Sequence, residues 1–263
     1  INTIKDRFKE NWVKRHEDPR RIVAINRQLS EKALTICFAR RFATYKRAHL
    51  LFRNPERLAQ ILNIPGRPVE IIFAGKAHPH DKAGQDLIKM IVDLSKRPEF
   101  IGKIIFLQNY DMSLAKILVS GADIWLNTPT RPLEASGTSG EKAVLNGTLH
   151  FSVLDGWWVE GYQPDAGWAL TNEITYEDNG LQDDLDAEII YSMLEQEVIP
   201  TFYERNKEDV AEGWVRMMKN SIAGIAPHFV TRRMMNDYSH RFYSKLHKRY
   251  QKMSEDEFEM AKR

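Results

Sequence analysis

Between Glu134 and Gly147 the chain reads EASGTSGEKAVLNG, a run of small and hydroxyl residues that delivers one lysine, Lys142, into an apolar turn closed by Asn-Gly. Ser136, Gly137, Thr138, Ser139 and Gly140 let a backbone curl tightly, expose its N–H groups and cap a helix expected to begin near Glu141. A loop of this kind at a helix start cradles anions, because the N–H groups and the positive helix end both favour negative charge. The amine lies about one turn further in. Phosphate and amine together are what a pyridoxal phosphate pocket needs. Taken by itself, the loop also reads as a capped helix with a solvated lysine.

Three further stretches carry polar groups. ARRFATYKR brings Arg40, Arg41, Lys46 and Arg47 to what reads as the start of one helix, where crowded cations are costly unless an anion sits among them. A solvated basic turn is the alternative. FAGKAHPH sets Gly75 and Lys76 at a turn, and its pair His78 and His80 has no carboxylate or cysteine at a spacing that would complete a metal site, so no metal is expected. QNYDMSLAK offers Asn109 and Tyr110 as a cofactor wall or as a helix cap.

Each stretch follows a β-rich run: 33–38, 69–73, 103–107 and 123–126, with a fifth run over 149–153. Between them Leu87, Met90, Ile91 and Leu94, then Leu114, Ile117 and Leu118, fall at the spacing of one helical face. Alternating strand and helix predicts an α/β fold with a parallel, doubly wound, Rossmann-like sheet, whose ligands sit beyond the carboxyl ends of the strands. From about Asp184 onward only helical stripes remain: Ile190, Met193, Leu194 and Val198; Trp214, Met217, Met218 and Ile222; Met235, Tyr238, Phe242 and Leu246. All three are expected to be core. The last sixteen residues read as a solvated helix or a frayed tail.

Composition narrows the class. The chain has 263 residues, 43% hydrophobic and 28% charged, with a net charge of +2, which suits a globular body and gives no global field for nucleic acid. Cys37 is the only cysteine and sits in the apolar run ALTICF, so it is expected in the core of a protein from a reducing compartment, the cytoplasm. No apolar run approaches the roughly 18 residues of a membrane span. The first residue is Ile1 rather than methionine, which suggests a piece of something longer.

Taken in order, ARRFATYKR, FAGKAHP, FLQNYDMSLA, RPLEASGTSGEKAVLNG and LDGWWVEGY resemble the C-terminal half of an α-glucan (glycogen, starch or maltodextrin) phosphorylase, nearest to the shorter bacterial branch. The resemblance runs from about Ser30 to Tyr243. It implies the cofactor-carrying lobe of a GT-B architecture, with 1–29 a helical connector from a missing N-terminal lobe in which Trp12 and Val13 offer an apolar contact, 30–180 a cofactor and phosphate domain, and 181–263 helices packed on it. It also implies that Lys142 bears pyridoxal phosphate, and that the backbone at Thr138 and Ser139, with Arg40 and Lys46, holds the cofactor phosphate. Tyr110 would lie against the ring. Arg41 and Lys46 would grip orthophosphate, while Glu134 and the amides of Ala135, Ser136 and Gly137 would bind glucose hydroxyls. Many members place Asn-Met or Gly-Met before the lysine, whereas Gly140 and Glu141 stand here.

The partners so implied are α-1,4-glucan, orthophosphate, the N-terminal lobe and a second copy in a homodimer, with neither nucleic acid nor membrane among them. Two other readings compete. One is a nucleotide-sugar glycosyltransferase of the same architecture, which needs no cofactor-bearing lysine. The other is a non-catalytic glucan-binding module that stacks sugar on Trp157, Trp158, Tyr162 and Trp168, although these aromatics follow a strand so closely that core packing is the expectation.

Overall fold

The computed structural model describes residues 1–7, 19–170 and 176–262. Six parallel strands, β1 (Leu34–Ala39), β2 (Val69–Ala74), β3 (Ile104–Leu107), β4 (Ile124–Asn127), β5 (Leu149–Val153) and β6 (Gly167–Leu170), form one sheet in the order β3-β2-β1-β4-β5-β6. The strands are nearly continuous apolar runs because both faces are covered. Alternate residues serve opposite faces: Ile36, Phe38, Ile71, Phe73, Ile124 and Leu126 enter one core, and Cys37, Ala39, Ile72, Ala74 and Trp125 the other.

Helices alternate with the strands as the periodicity predicts. They are α1 (Pro19–Gln28), α2 (Pro55–Leu62), α3 (Lys82–Leu94), α4 (Met112–Gly121) and α5 (Thr138–Leu145). Short polar side chains start several of them. The backbone N–H of Arg57 donates to Asn54 Oδ1 at 3.0 Å, that of Gly84 to Asp81 Oδ1 at 2.9 Å, and that of Leu114 to Asp111 Oδ1 at 2.7 Å. Beyond β6, α6 (Asn179–Met193), the helical turn Leu194–Val198 that continues it, and α7 (Glu212–Asn220) return to the sheet and bury Ile190, Leu194, Val198, Trp214 and Met217 in the first core.

The sheet departs from expectation in two respects. Strand limits slip by a residue at four of the five expected runs. β6 went unforeseen because a four-residue edge strand that opens on glycine has no alternation to announce it. The third helical stripe is not core: α8 (Thr231–Tyr238) and α9 (Ser244–Ser254) have no buried residue, and Met235, Tyr238, Phe242 and Leu246 are exposed. Ile117 and Ile222 also face outward. Periodicity establishes amphipathicity, and does not say that a partner lies on the apolar face. In the segment expected to be a connector, Ile4, Ile25 and Leu29 are buried against the second core, while Trp12 and Val13 lie outside the described residues.

β1 and β4 are neighbours whose crossovers leave toward opposite edges, β1 to β2 and β4 to β5. That is the topological switch point of a doubly wound sheet, where the two outgoing loops must part and leave a crevice.

Candidate active site

The loop leaving β1 is shaped by its neighbour on β2. Arg40 N–H donates to the Ala74 carbonyl at 3.0 Å and Phe42 N–H to the Lys76 carbonyl at 2.9 Å, with Gly75 between them. Gly75 has φ +157°, and a Cβ on it would lie 1.9 Å from the Arg40 carbonyl oxygen, so only glycine lets the strands approach this closely. The expected helix does not follow. A single 3-10 turn, Thr44–Lys46, ends in the left-handed residue Arg47 (φ 49°). It is tied to the loop leaving β4, because Thr130 N–H donates to the Tyr45 carbonyl at 2.7 Å and Thr128 Oγ1 to the Lys46 carbonyl at 3.1 Å.

The four cations of this turn separate into different jobs. Arg47, 3% exposed, donates to the carbonyls of Thr128 and Pro129 at 2.9 and 3.0 Å and pairs with Asp183 and Asp186 of α6 at 2.9 and 2.7 Å. It is committed to structure. Arg40 and Lys46, 7% and 8% exposed, both face Glu134: Arg40 Nη1 lies 3.4 Å from Glu134 Oε2, and Lys46 Nζ pairs with the same oxygen. Burial pushes the Arg40 guanidinium below its usual range while the Glu134 charge works against that shift, and Arg40 Nε is buried without a partner. Arg41 is exposed and donates to the Tyr45 hydroxyl at 3.2 Å. Three of the four are therefore not the solvated turn that the sequence allowed.

The cradle loop is clamped from behind. Glu134 N–H donates to Asp155 Oδ2 at 2.8 Å and Trp157 N–H to the Ser136 carbonyl at 2.8 Å. Gly156, at φ 55°, lets these segments touch, since a Cβ there would meet Ser136 O at 2.4 Å. Gly137 turns left-handed at φ 90° and opens α5 at Thr138, three residues earlier than expected. Among the described residues the N–H groups of Thr138 and Ser139 have no acceptor, and Trp125 Nε1 donates to Ser139 Oγ at 3.2 Å.

Under α5 lies an aromatic and polar layer that the sequence reading missed. His150, fully buried, has its Nδ1 3.1 Å from the Trp125 carbonyl, which can only accept, so that nitrogen bears the proton. Burial first, then the Arg40 charge, lowers its pKa to about 3, and the ring stays neutral. A Cβ on Gly140 would lie 2.6 Å from His150 Cε1 and 2.7 Å from Trp157 Nε1, so the third position of α5 must lack a side chain. Only the Asp-Gly pair of LDGWW could have signalled the clamp, and nothing signalled His150.

Of the remaining expected residues, Tyr110 is half-buried on the second core, close enough to feel the Arg40 charge, and burial raises its hydroxyl. Neighbouring Asp111, rather than Asn109 or Tyr110, caps α4. Lys142 is exposed on α5, and its amine makes no hydrogen bond or ion pair among the described residues. Ala135 and Thr138 are exposed as well. His78 and His80 stand 5.4 Å apart, ring centre to ring centre, and no metal-ligand group forms among the described residues. Trp157, Trp158 and Trp168 are buried, as core packing requires.

Residues 2–164 match the profile of the carbohydrate phosphorylases. The chain belongs to that family. It is 50% identical over 246 residues to a glycogen phosphorylase of Aquifex aeolicus, covering 94% of this chain and 35% of that protein. It is 52% identical over 218 residues to a maltodextrin phosphorylase of Thermococcus litoralis, covering 83% and 26%. Against a glycogen phosphorylase of Mycobacterium bovis the identity is 39% over 262 residues, covering 100% and 30%. The chain thus spans between a quarter and about a third of the length of these relatives. All eleven candidate residues, from Arg40 to Lys142, lie inside the carbohydrate phosphorylase match.

Proposed function

We propose that this chain is the cofactor- and phosphate-binding part of an α-glucan phosphorylase, which cleaves α-1,4-glucan with orthophosphate to release α-glucose 1-phosphate. One observation carries the reading: at the switch point of a carbohydrate phosphorylase sheet, buried cations of the β1 loop meet Glu134 of the β4 loop, in the stretch that runs on into the helix start at Thr138. The residues fit pyridoxal phosphate as the resident cofactor. The open N–H groups of Thr138 and Ser139, the unpartnered Arg40 Nε and Lys46 are donors of the kind a phosphate takes.

Bound there, the cofactor would supply a phosphate able to exchange a proton with the attacking orthophosphate. Lys142 would hold it through its amine, Thr138, Ser139, Arg40 and Lys46 would bind its phosphate, and Tyr110 would cover its ring. Arg41 and Lys46 would hold orthophosphate, and Glu134 with the amides of Ala135, Ser136 and Gly137 would orient the glucose. Two phosphates side by side repel strongly unless cations surround them, and the same cations favour the charge that develops as the sugar becomes oxocarbenium-like.

The rest of the longer protein would supply the opposite wall of the cleft and exclude water from it. The exposed stripe of Met235, Tyr238, Phe242 and Leu246 supports such a neighbour. We place the enzyme in the cytoplasm, a reducing compartment that suits its one cysteine, the buried Cys37.

The test uses the full-length protein. Borohydride reduction with pyridoxal phosphate, followed by peptide mapping, should leave the cofactor's mass on Lys142; a label on Lys46 or Lys76, or none, overturns the reading and favours a nucleotide-sugar enzyme. Arg41→Ala should raise the KM for orthophosphate on the order of 10- to 100-fold and leave that for maltodextrin nearly unchanged. Equal effects on both substrates would make Arg41 a solvated residue.

A further inference from the structure

Glu134 presents one carboxylate oxygen to both Arg40 and Lys46, and the three side chains are almost wholly enclosed, with 10%, 7% and 9% of each exposed. Its backbone is fixed from the other side by the Asp155 carboxylate at 2.8 Å. A carboxylate between two buried cations satisfies the site's demand for negative charge from within the chain. Orthophosphate, arriving beside a cofactor phosphate that the proposed function places on Arg40 and Lys46, needs Lys46 as well, and like charges a few ångströms apart in a dehydrated site cannot both keep it.

We infer that Glu134 is a built-in stand-in for orthophosphate, and that it exchanges partners during binding: orthophosphate takes over Lys46, and the freed carboxylate turns to the hydroxyls of the glucose. The inference rests on the proposed function, which supplies both ligands. The loop geometry permits a change confined to the side chain. Glu134 N–H is anchored to Asp155, and Ser136 O is anchored to Trp157 N–H, so the backbone stays in place while the carboxylate moves. Arg40 and Lys46 are held by their own strand and turn, through Arg40 N–H to the Ala74 carbonyl at 3.0 Å and Lys46 N–H to the Ala43 carbonyl at 3.0 Å.

Two consequences follow from one carboxylate serving two ligands. Phosphate alone must displace Glu134 with no compensating partner for it, so it binds weakly. With sugar present, the displaced carboxylate gains hydroxyl donors, and the two ligands bind with positive coupling that is reciprocal. The device keeps Lys46 from capturing stray anions until the sugar is in place, which is specificity achieved through competition rather than through an added contact.

The experiment measures orthophosphate affinity by titration calorimetry on the full-length holoenzyme, with and without saturating 1,5-anhydroglucitol, a glucose analogue that lacks the anomeric hydroxyl and cannot be phosphorolysed. In the parent protein the sugar should tighten phosphate binding on the order of tenfold. Glu134→Gln should bind phosphate alone about tenfold more tightly than the parent and lose most of the sugar effect. Glu134→Asp keeps the charge on a shorter stem and should fall between the two, which covers the case in which the glutamine variant is unstable without phosphate. Unchanged or weaker phosphate binding in the variants, or a sugar effect that survives in both, overturns the exchange. Failure of the parent holoenzyme to bind phosphate at all removes the proposed function itself, and this inference with it.

Discussion

At the carboxyl ends of the strands Arg40, Lys46 and Arg47 are buried opposite Glu134, Asp183 and Asp186, so each charge has a counter-charge within reach. At the amino ends of the same sheet stand two carboxylates, Glu70, fully buried on β2 and within the field of Lys103, and Asp123, half-buried just before β4. Neither has a salt-bridge partner among the described residues. Glu70 Oε1 accepts from the Ser30 N–H and Asp123 Oδ2 from the Thr35 N–H, both at 2.8 Å, and Glu70 Oε2 is buried without a partner. Burial raises Glu70 to about 7 and Asp123 to about 6, against the pull of those hydrogen bonds. One end keeps its charges by pairing them, and the other moves toward neutrality by excluding water. Binding anions needs the first arrangement; joining the chain segment before β1 to the sheet needs only the second.

The largest effect expected from breaking the paired end comes from a residue with no charge. Gly75→Ala puts a Cβ where the Arg40 carbonyl already is, at a φ that L residues rarely adopt, so β1 and β2 must part just where the cations leave the sheet. A loss of about 3 kcal/mol or more is expected in urea denaturation, together with loss of phosphate binding. A variant of parent stability would mean that this end yields easily and that the close approach at Gly75 does not position Arg40.

Arg47 sharpens the comparison, because its guanidinium is taken up by two carboxylates and two backbone carbonyls of the chain itself. Arg47→Met removes the guanidinium that pairs with both Asp183 and Asp186 and strands two carbonyl acceptors, which should cost roughly 3–5 kcal/mol. Arg47→Lys should not restore it, since one ammonium cannot reach acceptors on both the β4 loop and α6 in the manner of a planar fork. Exposed Arg41→Ala, six residues earlier, should shift stability by no more than about 0.5 kcal/mol. Equal costs for Arg47 and Arg41 in thermal melts would erase the division of labour within the turn.

The two ends were not equally legible in the sequence. The paired end uses glycines at forced conformations, hydroxyl runs and clustered cations, and each departs visibly from the apolar background. Gly75, the 136–140 run and the 40–47 cluster were all found, although the cluster stands on a 3-10 turn rather than a helix. Its separation into Arg47 facing Asp183 and Arg40 with Lys46 facing Glu134 could not be seen, because the deciding partners lie about 90 to 140 residues away in the chain. The amino end left no trace, since Glu70 is a single carboxylate inside an apolar strand and its meaning depends on burial alone. His150 was invisible for the same reason. The exposed face of α8 and α9 shows the converse: its stripe was read correctly and its burial was not, because amphipathicity is local while a covering partner is not.

The smallest effect expected is also the one most sensitive to the difference between the two ends. Glu70 has its pKa raised from 4.5 to about 7, so the folded chain holds a proton there that the unfolded chain releases between those values. Its contribution to stability is therefore full below about pH 4.5 and is lost as pH rises through about 7. Asp123 has the same sign over its own window, from 3.8 to about 6. His150 acts oppositely: its pKa is lowered from 6.5 to about 3, so the advantage of its neutral ring is present above about 6.5 and is lost as pH falls. A stability profile of the parent protein alone would blend these slopes. Glu70→Gln isolates one of them, because the amide keeps the acceptor for Ser30 N–H and resembles the protonated acid without titrating. The variant and the parent should have matching urea midpoints near pH 4.5, and at pH 8 the variant should be more stable by about 1–3 kcal/mol, the upper figure following from the full shift. A difference that does not change with pH would mean that Glu70 is ionised throughout and has found a counter-charge, and the amino end of the sheet would then be built on pairing as well.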